Sequence, residues 1–544
     1  MGSAGGRRRG DAQGVSGLSG CITQPETGEH PVQERTIDLT DIVEQERVTR
    51  AAAVRSTFED TMGWLTTGGV EQPLHRMERE LHERLMRLGL LMVALWLASR
   101  LPTRVKGALR KGRGWYAFED LATAVVRCRY GKLRHLQPTY TLVHGKGSAV
   151  LSPFGRLIGL TAGRMSLGVH LMAAYLATKL VFDDSLDVMG LSGGYVPSKR
   201  AALGIVDQLG PKASRYLDDM PPPLDDGEIL FIQVDGKGAP HIHPDEHERR
   251  CKPHTKRPRG QSQRERRRWR RRQKQTVRRK KGDKSKNARM ATVGVVYTLR
   301  RLPDGTIEGP IHKRVIGTFE GSRVLFRRLA KEARKRGYGT KETVFLADGA
   351  THLWTMWKEF FPKATPCLDW YHLCEYLWKA GGTVHKEGAD ALVAWVRERK
   401  EELRSGDVDA TLAAMEELRH HIGRSGPGTK GRRERLAKAI GYVENHRDYL
   451  NYEELLARDL DIATGAIEGA VKHVVGARLD GSGMRWCVQR AEHVLSLRCV
   501  VVNGDWDAFC EATMLRHEAL QTWTIPRITP DGPMKPYEAK KKAA

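Results

Sequence analysis

The rhythm of apolar and polar positions changes along the 544-residue chain, and the changes divide it. From Asp41 to about Arg100 the spacing is helical, with Leu81, Leu85 and Leu88 beside a charged face of Glu78, Arg79, Glu80, Glu83 and Arg84. The run Leu88–Ala98 (LGLLMVALWLA) predicts a buried helix and is too short to span a bilayer. The stretch from Leu157 to Val181 is also apolar but is interrupted by Arg164, His170 and Lys179. Residues 122–144 hold two β-like runs split by Gly131, which predicts a hairpin. Residues 165–209 predict short helices. The last of these, in DDSLDVMGLSGGYVPSKRAALGIVDQLG, read as helix, Gly-rich turn, and a second helix opening at Pro197-Ser198. Two readings stand. The second helix enters a DNA major groove, with Ser198, Lys199 and Arg200 at the DNA, or the pair is an ordinary helical hairpin packed on its neighbour.

Pro221-Pro222-Pro223 predicts a domain boundary, and the texture changes after it. Residues 228–234 (EILFIQV) predict a fully buried strand. Residues 291–302 and 313–319 predict two more, joined through the turn signal Asp304-Gly305. A helix over Ser322–Arg336, a strand at 343–347, a short helix with Trp354, Trp357 and Phe360, a strand at about 364–368 and a helix from about Tyr371 complete the series. This β-β-β-α-β-α-β-α order is the layout of a ribonuclease H-like fold. Residues 385–463 show only helical periodicity and predict an all-helical insertion, and residues 464–502 return to strong helix patterning. The expected class is therefore α/β. A disordered tail (1–36) and a mainly helical N-terminal DNA-binding region (37–220) precede the core (224–384). The helical insertion (385–463), the rest of the core (464–515) and a C-terminal tail (516–544) follow.

Charge adds a partner to this picture. The formal net charge is +26, and a surplus of that size points to a polyanion, of which nucleic acid is the commonest. Residues 249–289 hold 21 lysines and arginines against Glu265 and Asp283, so one insertion between the first two core strands contributes +19. Trp269 is interleaved with its arginines, Arg268 and Arg271 among them, and the segment reads as a solvated clamp on phosphates with steeply salt-dependent binding. RNA is an alternative ligand for such a run. The eight cysteines form no C-x-x-C pair and fit reduced thiols. No apolar h-region follows the N-terminus. The expectation is a soluble, cytoplasmic protein with no membrane partner.

Asp235 and Asp348 share one context: each ends an apolar strand and precedes a glycine, IQVDGKG and FLADGAT. In a mostly parallel sheet such strand ends meet at the crevice where ligands bind. Two acids there repel unless a cation neutralises them, and hard divalent cations prefer carboxylate oxygens. The glycine lets the chain turn away and leaves room for a substrate backbone. Either Asp-Gly alone reads equally as a turn. A third carboxylate is needed for two metal ions. Helical spacing puts Glu468, Lys472 and Val475 on one face, and Asp369 is the rival ligand.

The constellation resembles the DDE transposases of bacterial insertion sequences, within them the ISKra-type group, whose layout is similar to Mutator-type enzymes. The matching motifs are VDG with Asp235, ADGA with Asp348, LDWYHL with Asp369 and His372, ATGAIEGAVKHVVGARLDGSGMRW with Glu468, and RAEHVLSLRCVVVNGDWDAF. The resemblance spans about residues 115–515. It implies that Asp235, Asp348 and Glu468 hold two Mg²⁺ (or Mn²⁺) ions about 4 Å apart that clamp a scissile phosphate. The reaction would cut double-stranded DNA at terminal inverted repeats and join it to target DNA, with the protein acting as a homo-oligomer. It also implies a supporting D-x-x-H pair, Asp369 with His372 near the phosphate. The alternative for Asp369 is a plain helix cap. Arg478 and Arg485 are candidates for phosphate contact and Trp486 for stacking on a base, while Trp486 fits a core position equally. Lys237 stands where the family has a small polar residue, and the Arg-rich run is longer than in the family. Both departures bear on DNA preference rather than on chemistry. Two weaker metal patterns exist. His241, His243, His247, Cys251 and His254 have zinc-like spacings without paired C-x-x-C knuckles, and Cys367, His372 and Cys374 lie close in sequence.

Overall fold

The computed structural model describes residues 36–242, 262, 265, 288–481 and 484–519. The Arg-rich expectation, including Arg268, Trp269 and Arg271, falls almost wholly outside the described residues, as do His243, His247, Cys251, His254 and the two tails up to residue 35 and from 520.

The first apolar stretch forms two long helices, α1 (Thr40–Thr66) and α2 (Leu74–Ser99). Arg47 near the start of α1 reaches the carbonyls of Ala98 and Ser99 at the end of α2, so the pair is antiparallel. The apolar run in α2 is not a wholly buried helix as its sequence suggests. Leu88, Ala94, Leu97 and Ala98 are buried, whereas Met92 and Trp96 stay exposed on the outer side. More of the N-terminal region is strand than its sequence predicts. β1 (Ala108–Lys111), β2 (Gly114–Cys128), β3 (Gly131–Gly145) and β4 (Val150–Leu151) form an antiparallel sheet, and the β2–β3 hairpin outruns the expected 122–144 at both ends. Its turn rests on α2, where Gly89 gives way to the Tyr130 ring; a Cβ there would lie 2.5 Å from it.

Three helices follow: α3 (Leu167–Lys179), α4 (Phe182–Leu191) and α5 (Lys199–Asp219). They share one buried core with the rest of the chain to Phe509, while Leu39–Phe154 contribute a separate smaller cluster. The Pro221–Pro223 segment thus lies inside the span of one core. A buried core made jointly by both sides ties them as one packed body.

The central sheet contains β5 (Ile229–Pro240), β6 (Ala288–Arg301), β7 (Ile307–Thr318), β8 (Glu342–Ala347) and β9 (Thr365–Leu368), in the order β9-β8-β5-β6-β7. It is mixed rather than mostly parallel. β5 pairs parallel with β8, and β8 with β9, while β5-β6-β7 is an antiparallel meander. The helices α6 (Ser322–Lys335) and α7 (Thr351–Phe360) supply the crossovers into β8 and β9 that parallel pairing requires, and α8 (Trp370–Gly381) follows β9. The apolar run of β5 is buried on both faces, as a central strand demands.

Residues 385–463 are helical with no strand among them: α9 (Asp390–Arg404), α10 (Val408–Glu417) and α11 (Thr429–Asn445) with short turns after. The chain returns to the sheet through α12 (Gly465–Val471), continues directly into a π-helical turn at Lys472–Gly476, and ends with α13 (Val488–Val502) and α14 (Trp506–Ala519). No described helix is long and apolar enough to cross a membrane.

α13 lies between the edge strand β7 and α5. Glu492 accepts hydrogen bonds from Thr318 and from the Phe319 amide, and Asp207 on α5 binds both Arg490 and His493. The two helices meet at Gly210, where a Cβ would come within 2.3 Å of His493. Gly210→Ala is therefore expected to cost about 1–3 kcal/mol through overpacking. Gly204→Ala on the same helix, with nothing within 4 Å, is expected to be neutral or stabilising by up to about 1 kcal/mol. Thermal melts of the two variants against the parent check this contrast.

Candidate functional site

Register brings the acids together. Val234 pairs with Ala347 and Ala347 with Leu368, so Asp235, Asp348 and Asp369 follow at one level on three adjoining parallel strands. Asp235 is not at a strand end, because β5 continues to Pro240 against β6. It sits where the parallel partner stops and the antiparallel one goes on, which opens one side of the strand above β8.

Asp235 is half-buried, and its Oδ1 accepts the Gly236 amide at 2.6 Å. Burial raises its pKa, and the charges of Asp348 and Glu468 raise it further, against the Gly236 N–H and His372. Asp348 Oδ1 accepts the Ala350 amide at 2.9 Å and so shapes the turn into α7. One oxygen of each is engaged by these bonds, and Oδ2 of each remains for a ligand.

Asp369 has no exposed surface. Its Oδ2 accepts the amide of His372 at 3.0 Å and faces the ring Nδ1 at 2.5 Å; its Oδ1 accepts the amide and hydroxyl of Thr464 at 2.9 and 2.7 Å. Burial alone would raise its pKa, but the bonds from His372 and Thr464 prevail and lower it. Both oxygens are saturated inside the protein. Asp369 therefore caps α8 and orients His372 at once, and has no lone pair left facing a metal. In turn, the hydrogen bond to Asp369 lifts His372 to about 9 against burial, with Asp348 and Asp235 adding to the rise. Its imidazolium half-emerges beside the two aspartates.

Glu468 is exposed on the first turn of α12. Two buried side chains that sequence reading missed hold this helix. Gln233, two residues before Asp235, accepts the Ile467 amide at 3.0 Å and donates to the Tyr297 hydroxyl; Thr464 ties the helix start to Asp369. The signal for Gln233 was present, a lone amide in the apolar run ILFIQV. The expected alignment of Glu468, Lys472 and Val475 on one face fails. The wider π turn begins at Lys472, leaving Glu468 and Lys472 exposed and turning Val475 inside. Lys237 lies two residues beyond Asp235 and pairs with Asp480 at 3.5 Å just past that turn.

The glycine of ADGA has a different purpose from the one its motif suggests. A Cβ at Gly349 would meet the Tyr442 ring at 2.3 Å. Tyr442, on α11, stacks on Tyr376 of α8 with centroids 3.7 Å apart, and His446 Nε2 lies 3.0 Å from the Gly349 carbonyl. The glycine thus admits the helical insertion, not a substrate backbone.

The other candidates divide. Arg478 is 1% exposed, donates to the Ala177 carbonyl and lies over the rings of Phe182 and Trp486; Trp486 is buried and donates to the Leu479 carbonyl. Both are core residues, and neither can contact DNA without unfolding this corner. Arg485 is exposed. Ser198 caps α5, Lys199 pairs with Asp183 of α4, and Arg200 is exposed. The apolar face of α5 packs on α13, while its first turn stays exposed. His241 is buried against Phe319 with Nδ1 2.9 Å from the Ala239 carbonyl, and its four companions in the first zinc pattern lie outside the described residues; Cys367 is enclosed in β9, and the second pattern forms no metal group among the described residues.

Among the described residues no group of three or more His, Cys, Asp or Glu side chains is arranged to hold a metal ion. The charges of Asp348 and Glu468 nevertheless both act on Asp235 through space. Coulomb forces act well beyond the roughly 2–2.5 Å of a metal–oxygen bond, so a coupled set need not be preassembled. The donors are the hard oxygens that Mg²⁺ takes, and the clustering of like charge is what a divalent cation relieves. By the chemistry of their donors these residues suit the two ions that the resemblance implies. No protein-family model and no curated protein matches the chain.

A pH test follows from His372. A folded pKa of about 9 against the ordinary 6.5 means that protonation stabilises the fold fully below 6.5, and that the contribution fades as pH rises through about 9. In metal-free buffer His372→Gln is expected to melt below the parent at pH 6, with the gap closing by pH 10. A gap that stays constant over this range would remove the ion pair from the account.

Proposed function

We propose that the chain is a metal-dependent DNA strand-transfer enzyme of the DDE transposase type, built on a ribonuclease H-like core with a helical insertion. One observation carries the reading. Asp235 and Asp348 stand level on adjoining parallel strands, the charge of Glu468 acts on Asp235 through space, and a cationic His372 faces them from a fully saturated Asp369. The strand order β9-β8-β5-β6-β7, a three-stranded meander extended by two parallel strands, supports the ribonuclease H-like assignment. The saturation of Asp369 favours Glu468 over it as the third ligand.

Asp235, Asp348 and Glu468 would hold two Mg²⁺ ions, which when bound supply an activated oxygen nucleophile and charge neutralisation at the leaving oxygen. The chain's own groups do the rest. His372 presents its outer N–H, while Asp369 fixes the ring by Nδ1, so a phosphate oxygen brought to the aspartates meets a positioned donor. Gln233 and Thr464 hold the start of α12, which fixes where Glu468 projects. Lys472, at the end of α12, and Arg485, both exposed, supply cations to the flanking phosphates, and the Arg-rich segment adds salt-dependent affinity for duplex DNA. A homo-oligomer would place two such sites on two DNA ends.

The test uses labelled duplexes taken from either side of the coding region, with Mg²⁺. The parent is expected to nick at inverted repeats and to join the freed 3′ ends to a second duplex. Asp235→Asn and Glu468→Gln are expected to lose both steps by on the order of 10²–10³-fold or more, with melting temperature and DNA affinity retained. Nicking without joining would make the protein a nuclease on the same core. Undiminished activity in both variants would leave a DNA-binding protein without this chemistry.

A further inference from the structure

We propose that the α1–α2 arm is a docking surface for a second copy of this chain, pairing two arms into a four-helix bundle without DNA. Leucines recur along α2 at every seventh residue, Leu74, Leu81, Leu88 and Leu95, with Leu85 and Met92 between them at the alternating three- and four-residue steps of a coiled-coil seam. At about 1.5 Å per residue the helix is some 39 Å long, so the seam runs through three heptads.

Only one edge of that seam is covered. α1 packs along α2, Leu88 is buried, and Ala94 and Leu97 share a buried cluster with Val43 of α1 and with Val126, Cys128 and Leu133 of the β2–β3 hairpin. The outer edge is bare among the described residues: Leu74 is 66% exposed, Leu85 49%, Met92 50% and Trp96 50%. These four lie within a narrow arc of the helix, since steps of 7, 11 and 22 residues return to nearly one direction. On α1, Phe58 and Met62, one turn apart, are exposed as well. Two helices cannot enclose a core between them, whereas two such hairpins can. A contiguous apolar strip on a soluble surface marks an interaction site.

Charge selects the occupant. Residues 40–99 hold nine acids against seven arginines, a net of −2 in a chain of +26. The arm is thus unsuited to a polyanion and is the place where two strongly basic chains can approach with least repulsion. A self-complementary strip is also what a two-fold pairing requires, because each copy offers the same surface.

The experiment is sedimentation equilibrium on the nuclease-treated full chain at about 0.5 M salt, where surface charge is screened within a few ångströms. The parent is expected to sediment at twice its monomer mass at micromolar concentration. Leu85→Glu with Met92→Glu is expected to sediment as a monomer with unchanged helical signal and melting temperature. Leu191→Glu, another exposed apolar position (84%) away from the arm, is expected to leave the dimer intact. A parent that stays monomeric up to tens of micromolar, one that associates only when DNA is added, or a double variant that still dimerises would each overturn the proposal.

Discussion

The carboxylate of Asp369 is wholly enclosed, and hydrogen bonds from His372 and Thr464 fill both of its oxygens. A buried charge stripped of its partners costs several kcal/mol, roughly 3–5 where one side of an ion pair is removed. The surrounding chain is therefore obliged to keep those partners in place. In doing so it fixes the end of β9, the first turn of α8, the ring of His372 and the start of α12. Two segments 95 positions apart, the β9–α8 corner and the start of α12, thus meet on one side chain.

Around that anchor, the architecture explains why the candidate site lies where it does. β5 is shared by a parallel and an antiparallel neighbour of unequal length. The step between them leaves Asp235 and Asp348 half-buried and mutually repelling, at an edge that α12 approaches from above. The insertion closes the other side. Tyr442 fills the space of an absent side chain at Gly349, stacks on α8, and brings His446 onto the same carbonyl. The insertion is thus a wall of the site rather than an appendage, and its attachment depends on a glycine that the motif alone invited reading as room for substrate.

Much of this was legible from residue pattern. The order of core elements, both aspartates, the helix cap at Asp369 and the helical character of residues 385–463 all follow from periodicity and from the turn signals that bound it. What pattern misjudged shares a cause. The unbroken apolar run of α2 looked buried because composition does not say which side of a helix has a partner. Arg478 looked like a ligand residue because its chemistry suits phosphate, yet an arginine can also satisfy itself on a carbonyl and two aromatic rings in the core, and Trp486 takes the core position that its sequence left equally open. Spacing placed Val475 beside Glu468 because it assumed 3.6 residues per turn, which the π turn breaks.

The sequence by itself determined the local terms: which segments are strands or helices, where they turn, where charge accumulates, and which acids stand next to glycine. These depend on neighbours a few residues away, so a linear pattern encodes them. The tertiary structure alone decided which acid remains open to a ligand and which is consumed by the fold, why Gln233 and Thr464 matter, and which apolar side chains are left uncovered. Each of those depends on groups separated by tens to hundreds of residues, as Gln233 is from Ile467 and Asp369 from Thr464. Only the closing of the chain on itself brings them within hydrogen-bonding distance.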